Sequence, residues 1–81
     1  MQYQVFYTRR AERDLAKLDL QIKKRLDVAI KKMSNSPRAY SEHLTDTRLG
    51  MYRFRVGDYR VIFDIDKDKI IILRIGHRKE I

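Results

Sequence analysis

The chain is 81 residues long, one small domain that buries little more than about 60% of the surface its unfolded form exposes. It has no cysteine, which removes disulfides and thiolate metal sites, and no apolar run approaches the roughly 18 residues of a membrane-spanning helix. Nineteen Lys and Arg against eleven Asp and Glu leave a net charge of +8, while 43% hydrophobic residues supply a packed core. That combination excludes a disordered basic tail and points to a polyanion or an acidic protein as partner. No signal-peptide pattern opens the chain, so a cytoplasmic setting is expected.

Residues 2–7 alternate Tyr3, Val5 and Tyr7 with Gln2, Gln4 and Phe6, the pattern of an aromatic-rich strand. Thr8 offers an N-cap hydroxyl, and Ala11, Leu15 and Leu18 follow at helical spacing. Arg9, Arg10, Glu12, Arg13, Asp14 and Lys17 are read as the solvated face of that helix. Asp19 is a second N-cap candidate, and Ile22, Leu26, Ala29, Ile30 and Met33 form the apolar stripe of a second helix. With almost nothing between them, the two helices must form an antiparallel hairpin, which ends at the turn formers of residues 34–37.

Residues 38–49 read as polar and irregular, with Tyr40 at the sheet edge and His43 on the surface. The period then changes to two. Tyr52, Phe54 and Val56 alternate with Arg53 and Arg55, Gly57-Asp58 reads as a two-residue hairpin turn, and Tyr59, Val61, Phe63 and Ile65 share one face of the next strand. A charged turn at 66–69 leads to a strongly apolar strand over 70–75, which Gly76 breaks. The expectation is one domain over 1–81, α+β, a small two-layer sandwich of order β-α-α-β-β-β. The helical hairpin covers one face of an antiparallel sheet that the first strand joins.

Register gives the charges a place. A Gly57-Asp58 turn sets Arg55 directly opposite Arg60 on the face away from the helices, with Arg53 two positions along beside Ile62. If Phe63 and Ile71 share the core face, the next loop has an odd number of residues and Arg74 joins Arg60, with Gly76, His77 and Arg78 at the same end of the sheet. Directly opposed like charges destabilise a sheet by a few tenths to about 1 kcal/mol per pair. A face that gathers Arg53, Arg55, Arg60, Arg74 and Arg78 against one clear acid, Asp64, is therefore read as a phosphate site. A lone strand arginine is more often a solvated head on a stem that covers apolar surface. Arginine's planar, permanently charged fork suits bidentate contact with phosphate. Lys23, Lys24, Arg25, Lys31 and Lys32 on the helices carry less weight, since such a stripe is more often a solvated face; Lys23, Lys24 and Lys31, with Arg74 and Lys79, are candidate RNA contacts.

The usual catalytic patterns fail. Gly50, Gly57 and Gly76 are scattered and make no phosphate loop, and two histidines without cysteine make a poor zinc set. No carboxylate pair lies near the arginines to hold a metal, so no metal and no cofactor is expected. Nuclease chemistry on such a face is metal-free: cations stabilise the charged transition state and the RNA's own 2′-hydroxyl is the nucleophile. His77 is the candidate for proton transfer near neutral pH.

Ser36-Pro37, the hairpin Tyr52-Arg53-Phe54-Arg55-Val56-Gly57-Asp58-Tyr59-Arg60-Val61 and the closing Leu73-Arg74-Ile75-Gly76-His77-Arg78-Lys79-Glu80-Ile81 resemble the RelE/ParE superfamily of type II toxin–antitoxin toxins, and within it the RelE branch. The resemblance runs through the whole chain and is most specific at its end. It implies a ribosome-dependent mRNA endoribonuclease that cleaves the codon in the A site, stops translation, and is masked by a DNA-binding antitoxin. By position, Arg53, Arg55, Arg60 and Arg78 match the family's phosphate-binding basic residues. Two departures stand out. Some members carry lysines where this chain has Arg53 and Arg55, so proton transfer from those positions gives way to electrostatic clamping. The family pattern also continues with a catalytic tyrosine after the residue that matches Ile81, which makes truncation before it, or its natural loss, the expectation for this chain. Two alternatives share the resemblance: a ParE-like inhibitor of DNA gyrase, and an RNA-binding variant weakened in catalysis.

Overall fold

The computed structural model describes residues 3–43 and 52–81, without the side chains of residues 42 and 43. In chain order the elements are β1 (Gln4–Tyr7), α1 (Arg9–Ala16), α2 (Leu20–Met33), α3 (Pro37–Tyr40), β2 (Glu42–His43), β3 (Tyr52–Val56), β4 (Tyr59–Asp66) and β5 (Lys69–His77). The caps are those the sequence announces. Thr8 Oγ1 accepts the Ala11 N–H at 3.1 Å and Asp19 Oδ1 accepts the Ile22 N–H at 3.0 Å, each filling a bond that the helix start leaves open. Pro37 begins α3 at a position where no N–H is needed, so residues 37–40 form a helical turn within the stretch read as irregular. Residues 42–43 then pair with β3; the side chain of His43 and residues 44–49 lie outside the described residues.

The sheet order is β1-β5-β4-β3-β2. The meander is antiparallel as expected, and β1 joins it parallel to β5 along Gln4–Tyr7. Ala11, Leu26, Ile30 and Met33 of the helical layer pack on Phe54, Val61, Phe63, Ile70, Ile72 and Ile75. Each fully buried large side chain, such as Phe63 or Leu26, contributes on the order of 2 kcal/mol. This is the two-layer α+β sandwich read from the sequence.

Gly76 does not break the last strand, which runs on to His77, and two further local expectations are corrected. The β4–β5 connection is even, not odd: Asp66 pairs with Lys69 across a two-residue turn, so Phe63 faces Ile72 and Ile71 faces Asp64. Lys67 takes the left-handed conformation there, φ 58°, without glycine. The register then shifts between Ile62 and Phe63, because Ile62 pairs with Arg74 while Phe63 pairs with Ile72, which leaves Leu73 as a bulge. The extra residue returns Arg74 to the face of Arg60 and Ile62, so the right face follows from a different cause. The second correction is Asp14, which is buried at 8% exposure rather than solvated.

Candidate nucleic-acid interface

The β3–β4 hairpin places the arginines. Gly57 has φ +59°, the left-handed conformation that the first residue of this tight turn needs. The turn sets Val56 against Tyr59, Phe54 against Val61, and Arg55 against Arg60. Phe54 and Val61 are in the core, so Arg55 and Arg60 stand on the face away from the helices. Arg53 is on that face opposite Ile62, which Arg74 pairs from the other side. Ile62 is only 1% exposed, so the stems of Arg53 and Arg74 flank a buried apolar residue as well as carrying charge.

Four further contacts fix the arginines nearest the turn. Arg60 Nη1 donates to the carbonyls of Gly57 and Tyr59, both at 3.0 Å. Arg78 is tied to the same turn: its N–H donates to the Asp58 carbonyl at 2.7 Å and its Nε lies 3.8 Å from Asp58 Oδ1. Arg60 comes from β4 and Arg78 from beyond β5, yet one two-residue turn holds both. Behind them Gly76 lies opposite Arg60, and a Cβ there would stand 2.8 Å from Ile81 Cδ1, so the closing residues fold over Gly76.

Not every sequence candidate joins this group. Arg74 shares the face, but its Nε bonds Asp14 Oδ2 at 3.2 Å, so its charge is already matched. The same carboxylate oxygen accepts the Ile75 N–H at 2.9 Å, and Arg10 Nε lies 3.5 Å from the other oxygen. Burial alone would raise the Asp14 carboxyl's pKa; the Ile75 N–H, Arg74 and then Arg10 outweigh it and hold the carboxyl below its ordinary value. His77 pairs with Tyr59, and their rings meet edge-on at 5.6 Å. That puts the imidazole on the helix-facing side, in a cleft of about 230 Å³ shared with Tyr59, Asp14, Lys17 and Glu80, at the same end of the sheet as the turn but not on the arginine face. Its Nδ1 accepts the Lys79 N–H at 3.2 Å, which leaves Nε2 to carry the proton of the neutral ring.

Lys23, Lys24 and Lys31 belong to α2, across the sheet from the arginines. Lys31 is 3.3 Å from Asp27, and Lys23 and Asp27 line a groove of about 410 Å³ beside Tyr7. The Tyr7 hydroxyl is pushed above its ordinary pKa by burial and then by Asp27. Sequence reasoning missed Asp14 and Asp58. Asp14 had a signal, for it lies three residues after Ala11 and four before Leu18, on the apolar stripe itself. Asp58 was read only as a turn former.

Residues 5–81 match the family model described as the ParE toxin of the type II toxin-antitoxin system, parDE. The chain belongs to the RelE/ParE superfamily of type II toxin–antitoxin toxins. The toxin is 33% identical over 84 residues to toxin RelG of Mycobacterium tuberculosis, covering 100% of this chain and 97% of that one. It is 31% identical over 86 residues to toxin RelE3 of Methanocaldococcus jannaschii, covering 95% and 92%. Its structure is similar to a chain of the toxin–antitoxin complex RelBE2 from Mycobacterium tuberculosis, with TM-score 0.85, 32% identity and coverage of 96% and 100%. These likenesses place the toxin on the RelE side of the superfamily.

Proposed function

We propose that this toxin is a ribosome-dependent, metal-independent endoribonuclease that cleaves mRNA in the A site and so inhibits translation. The observation that carries the reading is the Arg55–Arg60 pair, face to face on the side of the sheet away from the helices, with Arg53 beside it and Arg78 at the adjoining turn. Opposed guanidinium groups repel each other without an anion and clamp one well. In the reaction the 2′-oxygen of the A-site nucleotide bonds to the adjacent phosphorus while the bond from phosphorus to the next 5′-oxygen breaks. The products are a 2′,3′-cyclic phosphate and a 5′-hydroxyl; one proton leaves the 2′-oxygen and one is taken up by the 5′-oxygen. Arg53, Arg55, Arg60 and Arg78 bind the phosphate and stabilise the charge that grows on it. Lys79 contacts neighbouring RNA; His77, turned to the helix-facing side, takes no part in the proton transfer, contrary to its place among the sequence candidates. The toxin works in the cytoplasm, on the ribosome and its RNA, and an antitoxin with acidic character covers the arginine face; the relatives' complexes with antitoxins support that partner.

Programmed ribosomes test this. They are mixed with the toxin, with the toxin carrying one tyrosine after Ile81, and with Arg60→Ala and Arg78→Ala. Cleavage within A-site codons by the first two, and its loss in the variants, is the expected result. Intact codons at micromolar tyrosine-extended toxin would overturn the reading. The family model is named for ParE, so a second reading is inhibition of DNA gyrase; arrest of supercoiling with mRNA left whole selects it.

A further inference from the structure

The β3–β4 turn draws a third guanidinium group. Arg25 reaches from α2 to Gly57, where its Nη2 stands 3.1 Å from the position a Cβ would occupy. Arg25 is exposed and, among the described residues, makes no ion pair. Arg60 binds the carbonyl of that same Gly57, so standard bond lengths bring the two guanidinium groups within about 10 Å of each other. Arg78 sits on Asp58, the next residue. Three arginines from α2, β4 and the segment after β5 thus converge on two turn residues, and the acid among them is Asp58, with its side chain 66% exposed. A glycine at position 57 leaves room for this approach, since any side chain there would press on Arg25.

We infer that this turn is a second phosphate seat, distinct from the one between Arg55 and Arg60: Arg25 binds an RNA backbone phosphate beside the scissile one, and Asp58 is the resident counter-charge that this phosphate displaces from Arg78. The inference rests on the ribonuclease reading and adds to it the path of the strand, which leaves the arginine face over the end of the sheet toward α2. A carboxylate on an exposed arginine at 3.8 Å is a loose partner that a phosphate can replace with more acceptor oxygens.

The test is single-turnover cleavage on programmed ribosomes, followed against toxin concentration at several salt concentrations. Arg25→Ala is expected to raise the half-saturating concentration about tenfold and to flatten the salt dependence by about 0.7 in log–log slope, with the maximal rate within twofold. Arg13→Ala removes the same charge from the exposed face of α1 and is expected to change neither. Asp58→Asn is expected to lower the half-saturating concentration about threefold, more than Glu12→Gln does. A neutral methylphosphonate next to the cleaved linkage identifies the source of the phosphate. If it reproduces the Arg25→Ala loss, the phosphate is in the mRNA as inferred; if it has no effect while Arg25→Ala still weakens binding, the phosphate is ribosomal and the seat beside the scissile phosphate is overturned. Equal losses in Arg25→Ala and Arg13→Ala, or equal gains in Asp58→Asn and Glu12→Gln, would leave only a diffuse field and overturn the inference while cleavage by the wild type upholds the enzyme. Absence of cleavage by the wild type and by the tyrosine-extended toxin removes both.

Discussion

Arg55 and Arg60 are directly opposed across the β3–β4 hairpin, two like charges at one register position of an antiparallel ladder. Arg60 leans toward the turn, where the Gly57 and Tyr59 carbonyls take its Nη1. The repulsion is thereby relaxed rather than removed. An anion seated between the two guanidinium groups would offset that repulsion.

Arg60→Ala therefore separates a role in the fold from one in cleavage. It removes one exposed and one part-buried hydrogen bond together with one repulsive pair, so the stability change should stay within about 1 kcal/mol. Cleavage of A-site codons should fall by about 10²–10³, the usual loss when a transition-state donor is deleted. Thermal melting alongside ribosomal cleavage measures both. A drop in melting temperature that accounts for the lost activity would make Arg60 a structural residue.

Asp14 should behave in the opposite way. Asp14→Ala leaves the Ile75 N–H without its acceptor and Arg74 without its partner, at a cost of about 2–3 kcal/mol. Asp14→Asn keeps an acceptor for Ile75 and should cost less. Because the native carboxyl titrates below its ordinary value near 3.9, its contribution is complete above that value and is lost as pH falls through the lower native one. Denaturant unfolding between pH 2 and 7 should show a steeper acid limb in the wild type than in Asp14→Asn, and matching limbs would refute the linkage.

The parts of this molecule legible in its sequence are those fixed by local rules. Thr8 and Asp19 announced their helices, and Gly57-Asp58 fixed a register from which the Arg55–Arg60 pair followed by counting. What escaped depends on docking between elements. Nothing in residues 70–75 marks Leu73 as a bulge, since it is neither glycine nor flanked by turn formers. The cause lies 65 residues away, where β1 ends: the Thr8 N–H donates to Ile72 O at 3.0 Å and its hydroxyl to Leu73 O at 3.2 Å. Arg25 looked like one more solvated helix charge because its neighbourhood is set by the crossing of α2 over the sheet. Asp14 could have been read, but its charge was allowed to outweigh its position on the apolar stripe.

Thr8 carries two of these links at once, as N-cap of α1 and as donor to the bulge. Thr8→Ala should cost about 1–2 kcal/mol, and Thr8→Ser, which keeps the hydroxyl, well under half of that. Since the bulge sets the face of Arg74 and the position of Gly76, hydrogen exchange in Thr8→Ala should quicken at residues 72–76 as well as in the first turn of α1. Exchange that quickens only in the helix would confine Thr8 to capping.

The contact of Ile81 with Gly76 makes the last prediction. In Gly76→Ala the new methyl would meet Ile81 Cδ1 at 2.8 Å and Cγ1 at 3.0 Å, distances that force a shift. The atoms that must give belong to one flexible side chain at the edge of the fold, so the closing residues should lift while the sheet holds. Stability is expected to change by less than about 1 kcal/mol. Arg78 lies in the lifted segment, so its ties to Asp58 should loosen and ribosomal cleavage should fall about tenfold or more. Ile81→Ala in the same chain removes the obstructing side chain and should recover part of that loss. The two substitutions should thus be non-additive in activity. Strict additivity would show that Gly76 acts through the strand and not through the residues that close over it.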